Sequence, residues 1–442
     1  MLSCVHPKQP LVFRVGEPTP AVGLFTILAL MSTHQSSFLR HAALVFVVVA
    51  PIAAQAQNRL ASSAEIDAYL AGIVRDTPVP GVVGLAVEAD GIVYLGAFGR
   101  QDVGSGVPMA TDTIFRLASM TKPVTSVAVM MLVQEGDLGL DDPVSEYLPA
   151  FEDKPVLETF NPADKTYTTR PAATAMTIRH LLTHTSGLGY AFSNTTLAQL
   201  ADPTPGASVT ALPLLHDPGA RWTYGESTRV LGTLVEEVSG QPLDEFLAER
   251  IFVPLGMSDT FYRVPPPKTS RVATVHRTTP EGLVETPNTA EISAPVYGDG
   301  GLHSTAADYA KFIQLFLNDG RAPNGTRLLS EATVRLMGQN HTGSVRVELQ
   351  PAALPALTEP FPLGAGRDTF GLGFQITGAH DDSLSRSPGS MSWAGIFNTE
   401  FWIDPARGVG GVLLMQYLPF YDATAIETLQ GFERRVYQGL AD

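Results

Sequence analysis

The sequence has almost no cysteine. Its 442 residues include one, Cys4, which lies close to the N-terminus. A single cysteine cannot form a disulfide within the chain, and cysteine-based metal sites need several thiolates. If the N-terminal segment is removed, as argued below, the mature chain has no thiol. That excludes a cysteine nucleophile, and the stability of the protein must come from its hydrophobic core.

Basic runs are also missing. The chain carries 29 Lys and Arg against 44 Asp and Glu, which gives a formal net charge of −15 at pH 7. Nucleic-acid binding relies on clustered positive charge, so we do not expect a nucleic-acid partner. The composition, with 44% hydrophobic and 17% charged residues, is that of a globular protein.

No apolar run near the N-terminus is long enough for a stable membrane span. The run at residues 42–54 is thirteen residues long, whereas a span needs about 20. Arg40 and His41 precede it, and Ala54-Gln55-Ala56 follows it as a small-x-small cleavage pattern. We therefore predict that residues 1–56 are a targeting region removed on export, with Met31 as an alternative start. The expected location is periplasmic or secreted.

The most informative stretch places a serine at the N-terminus of a helix that is expected to be buried. Ser119 and Lys122 are three residues apart, so in a helix they share one face. The following residues, 126–134, are apolar nearly all round, as in a helix buried in a core. A serine hydroxyl becomes a good nucleophile when a neighbour takes its proton, and an uncharged lysine amine can do so.

This Ser-x-x-Lys pattern is weak by itself. The chain has 26 serines and six lysines, and composition alone can produce one such match. The interpretation gains weight from the uncharged helix and from two further motifs described below.

The order of elements predicts an α+β fold. A helix at residues 63–75 and a hairpin around Asp90-Gly91 precede Ser119, while four strands and a closing helix, residues 423–440, end the chain. One antiparallel sheet built from both chain ends, flanked by helices and carrying an inserted mainly helical domain, accounts for this order. We assign residues 57–120 and 290–442 to a discontinuous α/β domain and residues 121–289 to the helical domain.

Several local features are also predicted. Ser62 to Glu65 matches a capping box, and Thr305 with Asp308 is expected to cap a helix that ends near residue 318. Residues 150–175 are expected to form a loop. Strands are expected at residues 260–264, 271–277, 370–377, 391–397, 400–403 and 409–418.

Two other motifs can complete a site with Ser119. Tyr224 follows Pro218-Gly219 at a loop-to-helix junction, where a phenol can act as base and acid, although a structural tyrosine is the commoner case. Trp393-Ala394-Gly395 lies in an expected strand, and its small residues would let a substrate approach the backbone. A bulge or a packed tryptophan is the alternative.

These motifs, in this order, resemble the serine β-lactamase and penicillin-binding superfamily, and most closely class C β-lactamases and family VIII carboxylesterases. The resemblance rests on residues 115–122, 218–224 and 393–395, with supporting matches at 181–188 and 300–305. It covers nearly the whole mature chain and implies the β-lactamase/transpeptidase-like fold.

The resemblance also implies roles. Ser119 would form an acyl-enzyme, and Lys122 and Tyr224 would act as general base and acid. The oxyanion hole would consist of the backbone N–H groups of Ser119 and Ile396. No metal or cofactor is implied, and His184 is interpreted as structural because the family's chemistry does not use a histidine.

The sequence departs from many lactamases at two substrate-binding positions. Glu226 stands where many have an asparagine, and Trp393 stands where many have a lysine, in a box completed here by Ala394 and Gly395. Both changes disfavour substrates with a carboxylate, so a neutral ester is expected. Arg386 could still supply a positive charge from a loop.

Three hypotheses remain for this chain, which is expected to act on a small-molecule ester or amide. It is an exported carboxylesterase, a β-lactamase or D-alanyl-peptide hydrolase on the same scaffold, or a non-catalytic penicillin-binding-like module. The third is disfavoured because Ser119, Lys122 and Tyr224 are all present. Turnover of a chromogenic ester separates it from the other two.

Overall fold

The computed structural model describes residues 60–201, 210–286 and 296–440. All of them belong to one compact unit, residues 55–442. The targeting region at residues 1–56, with Met31 and the cleavage pattern, lies outside the described residues and stays a prediction. In the described parts of the chain, no helix combines the length and apolar character needed to cross a membrane.

The fold is organised around one antiparallel sheet. In chain order the strands are β1 Gly81–Glu88, β2 Gly91–Asp102, β3 Val107–Pro108, β4 Phe115–Arg116, β5 Val156–Asn161, β6 Thr166–Arg170, β7 Val275–Thr279, β8 Gly282–Thr286, β9 His303–Ser304, β10 Thr369–Phe370, β11 Gln375–Ile376, β12 Met391–Gly395, β13 Thr399–Asp404, β14 Val409–Leu414 and β15 Tyr417–Leu418. Eight of them form the sheet β10-β11-β12-β13-β14-β1-β2-β3. Strand β1 pairs with both β2 and β14, so strands from the two ends of the chain join in one sheet, as predicted.

Helices cover both faces of this sheet. The α-helices of the described residues, in chain order, are α1 Ser63–Asp76, α2 Thr121–Glu135, α3 Ile178–Leu182, α4 Thr195–Leu200, α5 Ser227–Ser239, α6 Leu243–Leu247, α7 Val253–Leu255, α8 Ala306–Leu317, α9 Glu331–Met337 and α10 Ala423–Leu440. The predicted α+β fold is therefore confirmed.

Two hydrophobic cores lie on opposite faces of the sheet. Side chains alternate across a strand: on β1, Val83 and Leu85 enter the core shared with α2, α5 and α8, while Val82 and Ala86 enter the core under α1 and α10. This explains why β1 is apolar throughout. Helix α2 is buried from Thr121 to Leu132, as its apolar sequence predicted.

The strands of the large sheet and the helices of the middle third occupy different segments of the sequence. All eight strands lie within residues 57–120 and 290–442, and α2 to α7 lie within 121–289. Since residues 55–442 form one compact unit, the division into two domains stays a prediction.

The expectation of a loop at residues 150–175 was wrong, because β5 and β6 form a hairpin there. Most of the residues in these two strands are exposed or partly exposed. A strand with no buried face lacks the alternation of apolar and polar residues by which strands are recognised.

Three other strand predictions need correction. Residues 370–377 form two short strands, β10 and β11, separated by a turn at Gly373, whose φ is 97°. Residues 260–264 contribute only an isolated bridge between Phe261 and His303. Residues 409–418 divide into β14, in the large sheet, and β15, which pairs with β7.

The capping predictions had mixed outcomes. Thr305 accepts a hydrogen bond from the Asp308 N–H, as expected. Ser62 forms no cap bond, because its hydroxyl donates to the Arg435 carbonyl at 2.6 Å and so joins α1 to α10.

Candidate active site

Ser119 lies in a short 3₁₀ turn, Ala118–Met120, which leads directly into α2. The strand before the turn, β4, pairs with β9, and the Leu117 N–H donates to the Leu302 carbonyl at 2.8 Å. On the other side, the hydroxyl of Tyr309 on α8 donates to the Met120 carbonyl at 3.0 Å. The backbone around Ser119 is therefore fixed by β9 and α8.

The residue before the serine has an unusual backbone. Ala118 has φ 47°, in the left-handed region that side chains other than glycine rarely adopt. Such a conformation costs about 1–3 kcal/mol and persists where the surrounding structure holds it, often at functional sites.

Lys122 lies beside Ser119, as the spacing predicted. Its Nζ is 3.1 Å from Ser119 Oγ and donates to the Asp299 carbonyl at 2.7 Å. Only 2% of Lys122 is exposed. The amine therefore has two fixed partners, and one of them is the hydroxyl whose proton it would take.

A chain of buried polar groups supports Lys122. The Tyr190 hydroxyl and the Arg229 guanidinium both donate to the Asp299 carboxylate, and Arg229 also pairs with Glu226 at 3.3 Å. Burial and the Asp299 charge raise the pKa of Tyr190 well above its usual value, so this phenol keeps its proton. Asp299 is thereby held in the position where its main-chain carbonyl accepts from Lys122.

Tyr224 lies in the same cluster and is 3% exposed. Its ring centroid is 5.0 Å from Lys122 Nζ, and its hydroxyl accepts a bond from Trp393 Nε1 at 3.4 Å. The Thr223 N–H donates to the His184 carbonyl at 2.9 Å, which anchors the segment before α5. The structure therefore brings Ser119, Lys122 and Tyr224 to one place.

His184 fills the space behind Tyr224. Its ring lies 5.0 Å from that of Tyr224 and 6.2 Å from that of Trp393. Burial, together with the Lys122 charge, lowers the pKa of His184 well below its usual value, so the imidazole is neutral. This environment agrees with the structural role expected for His184.

Strand β12 reaches the serine turn at Gly395. A Cβ on Gly395 would lie 2.2 Å from the Leu117 carbonyl oxygen, so only glycine allows this approach. The Thr399 hydroxyl donates to the same carbonyl at 3.3 Å. Ile396 follows directly after β12, and it lines one cavity together with Ser119.

That cavity has a volume of about 410 Å³. Its wall near the serine includes Tyr224, Trp393, Ala394 and the aromatic side chains of Phe192 and Phe361. A mainly aromatic wall next to a nucleophile suits an alkyl or aryl group.

Two predicted contact residues lie elsewhere. Glu226 is 3% exposed, pairs with Arg229, and is not among the residues that line this cavity. Gly395 acts through the close packing of its backbone on Leu117 and is also not a lining residue. The roles assigned to the site residues in catalysis stay predictions.

Sequence reasoning missed Asp299, Tyr190 and Glu400. Asp299 and Tyr190 lie outside every motif that the sequence indicated, and Glu400 was expected only as the first residue of a strand. The available signal for Glu400 was a carboxyl directly before the apolar residues 401–403 of strand β13. Within the described ranges, no group of three or more His, Cys, Asp or Glu side chains is placed to hold a metal ion.

Comparison with known proteins gives a consistent result. The family model described as Beta-lactamase matches residues 66–430. The chain is 30% identical over 402 residues to monacolin J acid methylbutanoyltransferase from Aspergillus terreus, covering 82% of this chain and 93% of the relative. It is 31% identical over 389 residues to lovastatin esterase from Penicillium rubens, covering 81% and 94%.

A solved structure shows the same fold. A LovD6 mutant of simvastatin synthase from Aspergillus terreus superposes with a TM-score of 0.74 at 29% identity. The match covers 86% of this chain and 95% of that one.

Proposed function

Because the chain belongs to the beta-lactamase family, as a serine hydrolase or acyltransferase, we propose that it cleaves esters through an acyl-enzyme on Ser119. The observation that carries this proposal is the 3.1 Å contact between Ser119 Oγ and Lys122 Nζ, in the wall of a cavity that also contains Tyr224. The buried lysine and the fixed turn keep nucleophile and base in contact before any substrate arrives.

The proposed reaction has two steps. Ser119 Oγ attacks the ester carbonyl while its proton passes to Lys122, and the proton then reaches the leaving alcohol through Tyr224. The backbone N–H groups of Ser119 and Ile396 stabilise the oxyanion. Water then attacks the acyl-enzyme by the reverse proton path, and the carboxylic acid leaves.

The substrate we propose has no carboxylate near the reacting ester. Trp393 offers a broad apolar face and an N–H that already contacts Tyr224. The relative named lovastatin esterase supports an ester as the substrate, and the relative named as a methylbutanoyltransferase supports transfer of an acyl group on this scaffold. Hydrolysis of β-lactams or D-alanyl peptides is the alternative on the same scaffold.

Loss of the serine hydroxyl tests the proposal. Wild type should hydrolyse p-nitrophenyl acetate and gain the mass of a phosphonate probe, and Ser119→Ala should do neither, since no other hydroxyl would be activated. The measurement is intact-protein mass spectrometry beside the hydrolysis assay. An added alcohol that captures the acyl group shows whether transfer competes with hydrolysis.

The proposal would be wrong if Ser119→Ala kept the label at another residue. Single losses of Ser119 and Lys122 should each be severe and far from additive, because the two act as a unit. A properly folded wild type with neither turnover nor label would instead support a non-catalytic module.

We also propose that the enzyme is exported and acts in the periplasm or outside the cell. The charged flank, the short apolar run and Ala54-Gln55-Ala56 support this. N-terminal sequencing of the exported protein tests it.

A further inference from the structure

The cavity at Ser119 continues to the opposite face of the sheet. Within β12, only Met391 and Ser392 pair with strand β11. In the described chain, the edge of β12 that faces β11 is therefore unpaired from Trp393 onward. The cavity follows the open edge: its lining includes Trp393, from the core on the α2 side, and Leu429 of α10, from the core on the other side.

The far part of the cavity contains a buried carboxyl, Glu400 on β13. Glu400 pairs in register with Ala394 and Leu413, and it lines the same cavity as Ser119. Only 7% of the residue is exposed. Among the described residues, no hydrogen-bond donor and no cation within ion-pair distance contacts its carboxyl group.

The other charges around the cavity are already matched. Its three described arginines each pair with an acid: Arg367 with Asp368 at 2.7 Å, Arg386 with Glu433 at 2.6 Å, and Arg434 with Asp382 at 3.3 Å. Glu400 is the fourth lining acid, and no described lining arginine pairs with it. One added positive charge would therefore give every described lining acid a cationic partner.

We propose that Glu400 forms a distal subsite that binds an ammonium group carried by the substrate whose ester Ser119 attacks. This inference rests on the proposed function. The sequence led us to expect a neutral ester. The proposed substrate is neutral at the reacting ester and carries a positive charge at its far end. An unpaired carboxyl in a buried site is costly, and an ammonium ion offsets that cost.

The surroundings of Glu400 fit this role. Burial raises the pKa of Glu400 well above its usual value, and the nearby Glu433 raises it further, while Arg386 opposes both. Tyr421 is the other titratable group that interacts with Glu400, and burial keeps it protonated. An incoming ammonium ion would favour the ionised carboxyl and release its proton.

The test compares n-alkylammonium ions, from butyl to octyl, with the matched n-alkanols as inhibitors of p-nitrophenyl acetate hydrolysis. In wild type the ammonium ion should inhibit better at the chain length that reaches Glu400. Glu400→Gln should reduce that preference roughly tenfold to a hundredfold, as expected for a lost charge-assisted hydrogen bond. Glu427→Gln, an exposed acid on α10, makes the same charge change and should keep the preference.

A pH profile separates this role from a structural one. Pairing needs the ionised carboxyl, whose pKa burial raises above its usual value, so the preference for ammonium over alkanol should rise with pH in wild type as Glu400 loses its proton. It should fall again only where the amine loses its proton, near pH 10. Glu400→Gln should show no such rise, because an amide does not titrate.

The proposal is overturned if alkanols inhibit wild type as strongly as ammonium ions do, or if Glu400→Gln keeps the preference. Calorimetric titration of the same ions into Ser119→Ala requires no turnover. Binding there without any ester hydrolysis in wild type would refute the proposed function and keep the subsite. Ester hydrolysis by wild type, with no binding of the ammonium ions to Ser119→Ala, would refute the subsite and keep the proposed function.

Discussion

Trp393 and the arginines around it determine what a substrate carboxylate would meet in the cavity. The indole N–H of Trp393 already contacts Tyr224, and Arg386 is bound to Glu433 on α10. Arg386, named from the sequence as a residue that could receive a carboxylate, is therefore already paired. A substrate carboxylate would have to break that ion pair or remain buried without a partner, and both are unfavourable.

The first prediction at this scale concerns Trp393→Lys. An ammonium group at this position would offer a partner to the carboxylate of a cephalosporin, an interaction of about 1.5–3 kcal/mol for a charged hydrogen bond. We expect wild type to prefer a short p-nitrophenyl ester strongly. In Trp393→Lys the ratio of kcat/KM for the ester to that for a chromogenic cephalosporin should fall roughly tenfold or more.

Trp393→Phe is the matched control. It removes the N–H that contacts Tyr224 and keeps an aromatic ring, so any loss of activity common to both variants comes from the lost contact. A change in substrate ratio seen only with lysine comes from the charge. Wild-type cephalosporin turnover equal to that of the ester would contradict the expected preference.

Single residues also show where sequence reasoning ends. Ser119 and Lys122 could be paired in advance because three residues of helix separate them, and the contact is local. The partner of Lys122 on the other side, Asp299, is 177 positions away in sequence. Such a contact depends on how α2 and α5 pack with the turn at residues 298–300, which no local pattern encodes.

At the scale of elements, the site depends on how β12 packs against the serine turn. Gly395 touches the Leu117 carbonyl, and β13 adds the Thr399 bond to the same group. The positions of Ser119 and Ile396 relative to each other therefore follow from one close contact between a strand and a turn.

Gly395→Ala tests this arrangement. The new Cβ would meet backbone at 2.2 Å, so β12 would have to move away from the serine turn. A displacement of about 1 Å at a catalytic site can cost about 100-fold in rate. We expect kcat/KM for the ester to fall by that order, together with a lower Tm from overpacking.

Gly72→Ala on α1 provides the control for Gly395→Ala. Its Cβ would meet only the Arg75 side chain at an ordinary 3.7 Å, and alanine favours a helix over glycine. Activity should be retained and Tm should be equal or higher. Full activity in Gly395→Ala would show that the contact with Leu117 does not position the site.

Elements with a buried face were the ones that the sequence predicted well. Helices α1, α8 and α10 and the hairpin of β1 and β2 each bury one or two faces, and their apolar periodicity indicated their positions. The exposed hairpin of β5 and β6 carries no such pattern. The split between β10 and β11 depends on Gly373, where a Cβ would lie 2.4 Å from the Ser126 side chain, a contact visible only after folding.

At the scale of the whole molecule, the N-terminal end of the described structure is part of the core. The Leu60 N–H donates to the Val93 carbonyl at 3.2 Å, and Ser62 bonds to Arg435 of α10. Leu60 itself is buried in the core under α1 and α10. A cut after Ala56 would therefore leave every one of these contacts in the mature chain.

The last prediction follows from this position and from the pattern at residues 54–56. The exported protein should begin at Gln57, and N-terminal sequencing with intact mass should show it. Because the contacts of Leu60 and Ser62 are retained, a chain expressed from Gln57 should match the exported protein in Tm and in ester kcat/KM.

Ala56→Trp breaks the small-x-small pattern and should block cleavage, whereas Gln55→Asn, at the variable position, should not. An exported form that retains Cys4 would contradict this processing, and a truncated chain with a lower Tm would show that residues before Gln57 belong to the fold.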